Sequence, residues 1–176
     1  MSKKILELVN KAEKEIDYIL QDYKDPWNLN NASLWVMNAN NKMVIKQQNT
    51  DVYELLKSSE TLKIVKNNEF FTILTCGWAA QIEDCDDNTP PSEAKGRRRV
   101  RLVVGANISG VASVLRFQDK PNETIVDEGA ARGTLADAVQ KLVDRKKKHE
   151  IKIIFTRYAT KLDNVINQIN ILGETK

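Results

Sequence analysis

The sequence predicts an α+β fold: a central, predominantly antiparallel sheet of about six strands packed by N-terminal and C-terminal helices. Three observations lead there. Apolar residues recur at three- and four-residue spacing near both ends. Apolar and polar residues alternate between Arg97 and Phe117. Asparagine- and glycine-bearing turns separate the intervening apolar runs, which favours hairpins over crossovers. The chain has 176 residues, of which 41% are hydrophobic and 29% charged, enough apolar material for one sizeable core. No linker divides it, so 1–176 is read as a single domain.

Ile5, Leu8, Val9, Ala12, Ile16, Ile19, Leu20 and Tyr23 form one stripe of a helix expected over Lys3 to Tyr23, with Ser2 as its N-cap and Lys and Glu on the other face. Asp25-Pro26 ends it. Leu34 to Met37 and Met43 to Ile45 flank the turn Asn38 to Lys42, a first hairpin. A short helix follows from Asp51 or Thr50, either of which is a suitable cap. Leu62, Ile64 and Val65 are read as a strand turning through Lys66 to Glu69 into Phe70 to Thr75, a second hairpin. Gly77 to Ala80 is expected to prolong that strand through a bend or bulge. Residues 83–96, with Glu83, four further acidic side chains and Pro90-Pro91, form an acidic, proline-containing loop.

From Arg97 the alternation is cleaner. Val100, Leu102 and Val104 share one parity and Arg99, Arg101 and Val103 the other. Asn107 to Gly110 turns the chain into Val111 to Phe117, a third hairpin. Thr124 to Val126 is a short edge strand, and Leu135, Ala138, Val139, Leu142 and Val143 mark a helix beginning near Thr134. In the tail, Ile151 to Phe155 favours a short strand, and 157–176 a terminal helical segment through Leu162, Val165, Ile166, Ile169 and Leu172. The element order is similar to that of profilin-like, roadblock-like and sensory domains, a resemblance of arrangement carried by no residue motif.

The formal net charge is +3, too mild to announce nucleic-acid binding. Its excess lies wholly after Cys76. Met1 to Lys4 is followed by an interrupted apolar stretch, no run is long enough to span a bilayer, and two cysteines make no disulfide scaffold. A cytoplasmic protein is therefore expected, with Cys76 a structural thiol and Cys85 disfavoured as a thiolate by its acidic neighbours.

Two basic clusters are candidates for an interaction surface: Arg97, Arg98 and Arg99, and Arg145, Lys146, Lys147 and Lys148. Arg97 and Arg99 point opposite to Arg98 on a regular strand, and the acids just before them are the nearest expected partners. Asp84, Asp86, Asp87 and Glu93 carry oxygen ligands suited to a divalent cation, and Glu93-Ala94-Lys95 has a spacing used by metal-dependent nucleases. Thr89 and Lys95 stand where a calcium loop needs its glycine and its bidentate glutamate. His149 is the only histidine, which removes histidine-rich zinc sites, and a Cys76–His149 pair needs close approach of the two side chains. Gly129 to Gly133 lacks the spacing of a phosphate loop. The functional expectation is a non-enzymatic protein-interaction or regulatory module with no cofactor, binding a protein partner or a second copy of itself. The alternatives are a divalent-metal-dependent nuclease or phosphodiesterase and a nucleic-acid-binding module.

Overall fold

The computed structural model describes residues 2–81, 89–127, 135–150 and 152. Helix α1 (Ser2–Leu20) leads into strands β1 (Ala32–Met37) and β2 (Met43–Asn49), then helices α2 (Val52–Lys57) and α3 (Ser59–Asn67). Strands β3 (Phe71–Ala79), β4 (Arg98–Asn107), β5 (Gly110–Phe117) and β6 (Thr124–Asp127) follow, and residues 135–150 form helix α4. The six strands make one sheet in the order β2-β1-β3-β4-β5-β6, with every pair antiparallel.

Strand parity sends alternate residues to two cores, one on each side of the sheet. On one side, Ile5, Val9, Ala12, Ile16 and Leu20 of α1 pack on Trp35, Leu74, Val103, Ala112 and Val114. On the other, Leu55, Leu56, Val65, Val139, Leu142 and Val143 of α2, α3 and α4 cover Leu34, Val36, Phe71, Ile73 and Val104. Each Val, Leu, Ile or Phe among them, fully buried, contributes about 1.5–3 kcal/mol of transfer free energy. Gly105 permits the close approach of α1: a Cβ there would collide with Val9 Cγ2.

The first and third hairpins form where expected. Asn38 Oδ1 accepts from the backbone N–H groups of Asn40 and Lys42, each at 2.9 Å, and Asn41 takes a left-handed φ of 57°. Asn107 pairs with Gly110 around the two-residue turn Ile108-Ser109. Asp51 is the cap of α2, accepting from Tyr53 N at 2.7 Å and Glu54 N at 3.2 Å.

The second hairpin does not form. Leu62, Ile64 and Val65 belong to α3, and β3 pairs instead with β1 and β4. Ser58 explains the difference: its Oγ accepts from Thr61 N at 3.0 Å and starts a helix that buries Thr61 and Val65 four residues apart. A short apolar run fits either period, and the cap decides it. Three smaller expectations also change. Helix α1 ends at Leu20 and includes Ser2 as a helical residue rather than its cap. The register of β3 on β4 is continuous through Gly77, so no bulge occurs there; the irregularity lies in the β1–β2 pairing, between Leu34 and Trp35 of β1. In the tail, Lys152 is helical within the strand expected over Ile151 to Phe155, and Thr134, Ile151 and residues 153–176 lie outside the described residues.

The face of α1 assigned to Lys and Glu is only partly solvated. Glu13 is 4% exposed and takes a two-pronged ion pair from Arg116, both N–O distances being 2.6 Å. Arg101, equally buried, pairs with Asp17. Arg116 also donates to the Pro121 carbonyl. These charges join α1 to β4 and β5 inside an otherwise apolar contact. Removing one partner strands the other, so Glu13→Ala is expected to cost about 3 kcal/mol in urea unfolding. The double change Glu13→Leu with Arg116→Met recovers most of that loss; a double variant as unstable as the sum of the singles refutes this account. Gly105→Ala is expected to lose about 1–3 kcal/mol in the same assay by overpacking against Val9.

Candidate functional site

The long strands β3 and β4 carry arginines and aromatics at the end away from the hairpin turn Ile108-Ser109. Parity divides them. Arg98 falls on the side of the sheet covered by α2, α3 and α4, whereas Trp78, Arg99 and Arg101 fall on the α1 side. The segment after α1 crosses the latter, bringing Trp27 and Asn28 against β4.

Arg98 is neutralised locally. Its Nε and Nη2 both donate to Asp119 at 2.8 Å, and its guanidinium lies 3.8 Å from the centre of the Phe117 ring. The hydrogen bonds from Arg98 hold the Asp119 carboxyl below its ordinary pKa. Arg101 is buried by Asp17 and sits 4.2 Å from the centre of Trp27. Of the acids expected as partners, Glu83, Asp84, Asp86 and Asp87 lie outside the described residues and Glu93 pairs with none of these arginines, while the observed partners come from α1 and from the loop after β5.

Arg97 and Arg99 are different. Both guanidinium groups lie over Trp78, at 4.9 and 5.1 Å from the ring centre. Arg97 donates to the Ser92 carbonyl, and Arg99 donates at 2.8 Å to both the Trp27 carbonyl and Asn28 Oδ1. Among the described residues neither bonds a carboxylate. Trp78 remains 40% exposed. Beside it a cleft of about 210 Å³ is lined by Asp25, Trp27, Asn28, Trp78, Arg99 and Gln118. Sequence separation hides this meeting of two tryptophans; the pairing of β3 with β4 and the return of the chain after α1 create it. Trp35, by contrast, is a core residue whose Nε1 donates to Ser33 Oγ at 2.7 Å.

The second basic cluster stands apart on α4, across the sheet from Arg97 and Arg99. Lys146 does not belong to its surface: it is 4% exposed and donates to the Asn68 carbonyl. Arg145 and Lys148 are exposed and Lys147 is half-buried. The two clusters therefore make no continuous surface.

Cys76 is half-buried on β3, and burial raises its thiol pKa above the ordinary value against the smaller opposing influence of a Leu29 backbone hydrogen bond and of Arg99 and Arg101. It faces the α1 side, whereas His149 is exposed on α4 beyond the sheet, so no Cys–His pair exists. Cys85 and residues 129–133 lie outside the described residues. Glu93 and Lys95 are exposed in a turn closed by the Pro90 carbonyl, which accepts from Glu93 N at 2.8 Å. Among the described residues no group of three His, Cys, Asp or Glu side chains is placed to hold a metal ion, and no helix is long and apolar enough to cross a membrane.

No protein-family model, no curated protein and no solved structure matches this chain.

The Arg98–Asp119 pair offers a direct check on this geometry. Because the folded carboxyl titrates below its unfolded value, its stabilisation is present above the ordinary pKa and is lost as pH falls through the lower, folded one. Arg98→Gln is expected to move the Asp119 titration, followed by NMR, back up towards the ordinary value. An unmoved titration refutes the pairing.

Proposed function

We propose that this protein is a non-enzymatic interaction module whose contact surface is the end of the β3–β4 pair bearing Trp78, Arg97 and Arg99. The observation that supports it is Trp78 itself, a large ring left 40% exposed under two guanidinium groups that have no carboxylate partner among the described residues. Tryptophan and arginine are the residue types that concentrate binding free energy at protein interfaces. They combine an apolar plate with fixed cationic donors, which suits an acidic segment of a partner protein. Arg145 and Lys148 form a second, separate cationic patch in this reading. A cytoplasmic location belongs to the same proposal, and a second copy of the chain is an alternative partner.

Nucleic-acid binding is the runner-up, because bases also stack on exposed tryptophan. One titration separates these. Tryptophan emission is followed while an oligoglutamate peptide, or an oligothymidylate with and without Mg²⁺, is added at low and moderate salt. The expected result is saturable, salt-weakened binding of the peptide, reduced several-fold by Trp78→Ala, with the oligothymidylate left uncut. Tighter binding of the oligothymidylate replaces this reading with the runner-up. Cleavage that needs Mg²⁺ and is lost in Glu93→Gln replaces it with a nuclease.

A further inference from the structure

We infer that the cleft between Trp27 and Trp78 is the anchor pocket of this surface, and that it takes a single carboxylate side chain from an acidic protein segment, held by Arg99. The inference rests on the interaction-module reading and adds the group that is recognised and the residue that recognises it.

Charge selects the ligand class. Both tryptophan rings already carry guanidinium groups of this chain, Arg97 and Arg99 over Trp78 and Arg101 over Trp27. A cationic ligand would meet like charge on each ring, so the pocket is not an aromatic cage for ammonium groups. Asp25 is the one carboxylate lining the cleft, and its Oδ1 accepts from Trp27 N at 3.2 Å. Arg99 balances it within the lining, and Arg97, over the Trp78 ring but outside the lining, adds the second cation that leaves an excess of positive charge around that ring.

Size narrows the class. At about 210 Å³ the cleft is smaller than the roughly 300–1,000 Å³ typical of cofactor and drug-sized ligand sites. It has room for one side chain rather than a nucleotide.

Arg99 is prepared for the task. A guanidinium has five N–H donors, and the hydrogen bonds to the Trp27 carbonyl and Asn28 Oδ1 use two of Arg99's. Those bonds fix its orientation, so little side-chain entropy is lost when a carboxylate arrives. The remaining donors suit a paired N–H···O contact with a carboxylate. Gln118 completes the rim. Its own backbone N–H donates to the Arg99 carbonyl at 3.0 Å, which holds Gln118 beside the same cleft.

The test is calorimetric titration of an oligoglutamate peptide into the full chain and into Arg99→Gln, Asn28→Ala, Gln118→Ala, Arg97→Gln and Lys63→Gln, each first checked for an unchanged thermal melt. Loss of a charge-assisted hydrogen bond is expected to weaken binding about tenfold or more in Arg99→Gln. Asn28→Ala keeps the charge but frees the guanidinium, and is expected to weaken binding several-fold, as is Gln118→Ala. Lys63→Gln, an exposed cation on α3, is expected to change nothing. Should Arg99→Gln fail to fold, Asn28→Ala and Gln118→Ala decide. Wild-type affinity in Arg99→Gln, Asn28→Ala and Gln118→Ala, with loss in Arg97→Gln, overturns the pocket and leaves the interaction surface standing. Absence of peptide binding to the unmodified chain overturns both. Arg99-dependent binding of oligothymidylate in place of the peptide overturns the carboxylate as the ligand.

Discussion

The charged contact between α1 and the sheet is the constraint on which the rest of this molecule depends. Glu13 and Asp17 lie one helical turn apart and meet Arg116 and Arg101 on adjacent strands. Apolar contacts alone would allow a helix to slide or rotate on a sheet, because many small shifts bury similar area. Buried ion pairs do not tolerate such shifts, since a displaced partner leaves an uncompensated charge. The two pairs therefore set the rotation and position of α1 even where their net contribution to stability is small. Gly105 adds a steric limit in the same contact, because only a residue without Cβ admits Val9 at that distance.

From that contact a line of interactions runs to the candidate site. Arg101, held by Asp17, lies against the Trp27 ring; the Trp27 carbonyl holds Arg99; and Arg99 lies over Trp78. The contacts of Trp27 with Arg101 and Arg99 join β4 to the chain emerging from α1, and the contact of Arg99 with Trp78 joins β4 to β3. The cleft is thus built between an ordered sheet end and a segment that has little regular structure of its own. Its precision comes from arginines whose donors are shared between structural and open positions, an arrangement that a planar guanidinium permits and a lysine does not.

Much of the fold was legible in the sequence because its signals were redundant. In β4 and β5, alternation, a turn and the length of the runs agreed, and the pairing of Val100 with Phe117 through Asn107 with Gly110 followed. At residues 59–67 they conflicted: Ile64 and Val65 favour a strand by branching, while Ser58 starts a helix through a hydrogen bond that composition does not reveal. The ionic partners were less accessible still. Glu13 looks like a surface residue on a helical projection, and its partner lies 103 residues away. The opposed directions of Arg98 and Arg99 were readable from parity, but their actual partners, Asp119 and Trp27, depend on which strands are neighbours. Lys146 shows the same limit: a run of cations reads as one surface, yet helical geometry turns one of its members onto the Asn68 carbonyl.

Unequal strand lengths explain why the arginines and tryptophans gather where they do. Strands β3 and β4 have nine and ten residues, whereas β1 has six and β6 four. The pairing of β1 with β3 stops at Ser33 and Leu74, so the part of β3 from Thr75 onward has β4 as its one strand neighbour among the described residues. On its other edge β4 keeps β5 as far as Val100 with Phe117, so only Trp78 and Ala79 with Arg99 and Arg98 form a two-stranded end, which is marginal in water unless its faces are covered. Guanidinium groups stacked on Trp78 and Phe117 supply cover on both faces while leaving polar edges in contact with solvent. On the Trp78 face the side chains that complete the sheet are therefore the ones that remain partly exposed, and the chemistry stabilising the strand ends there is also the chemistry offered to a partner.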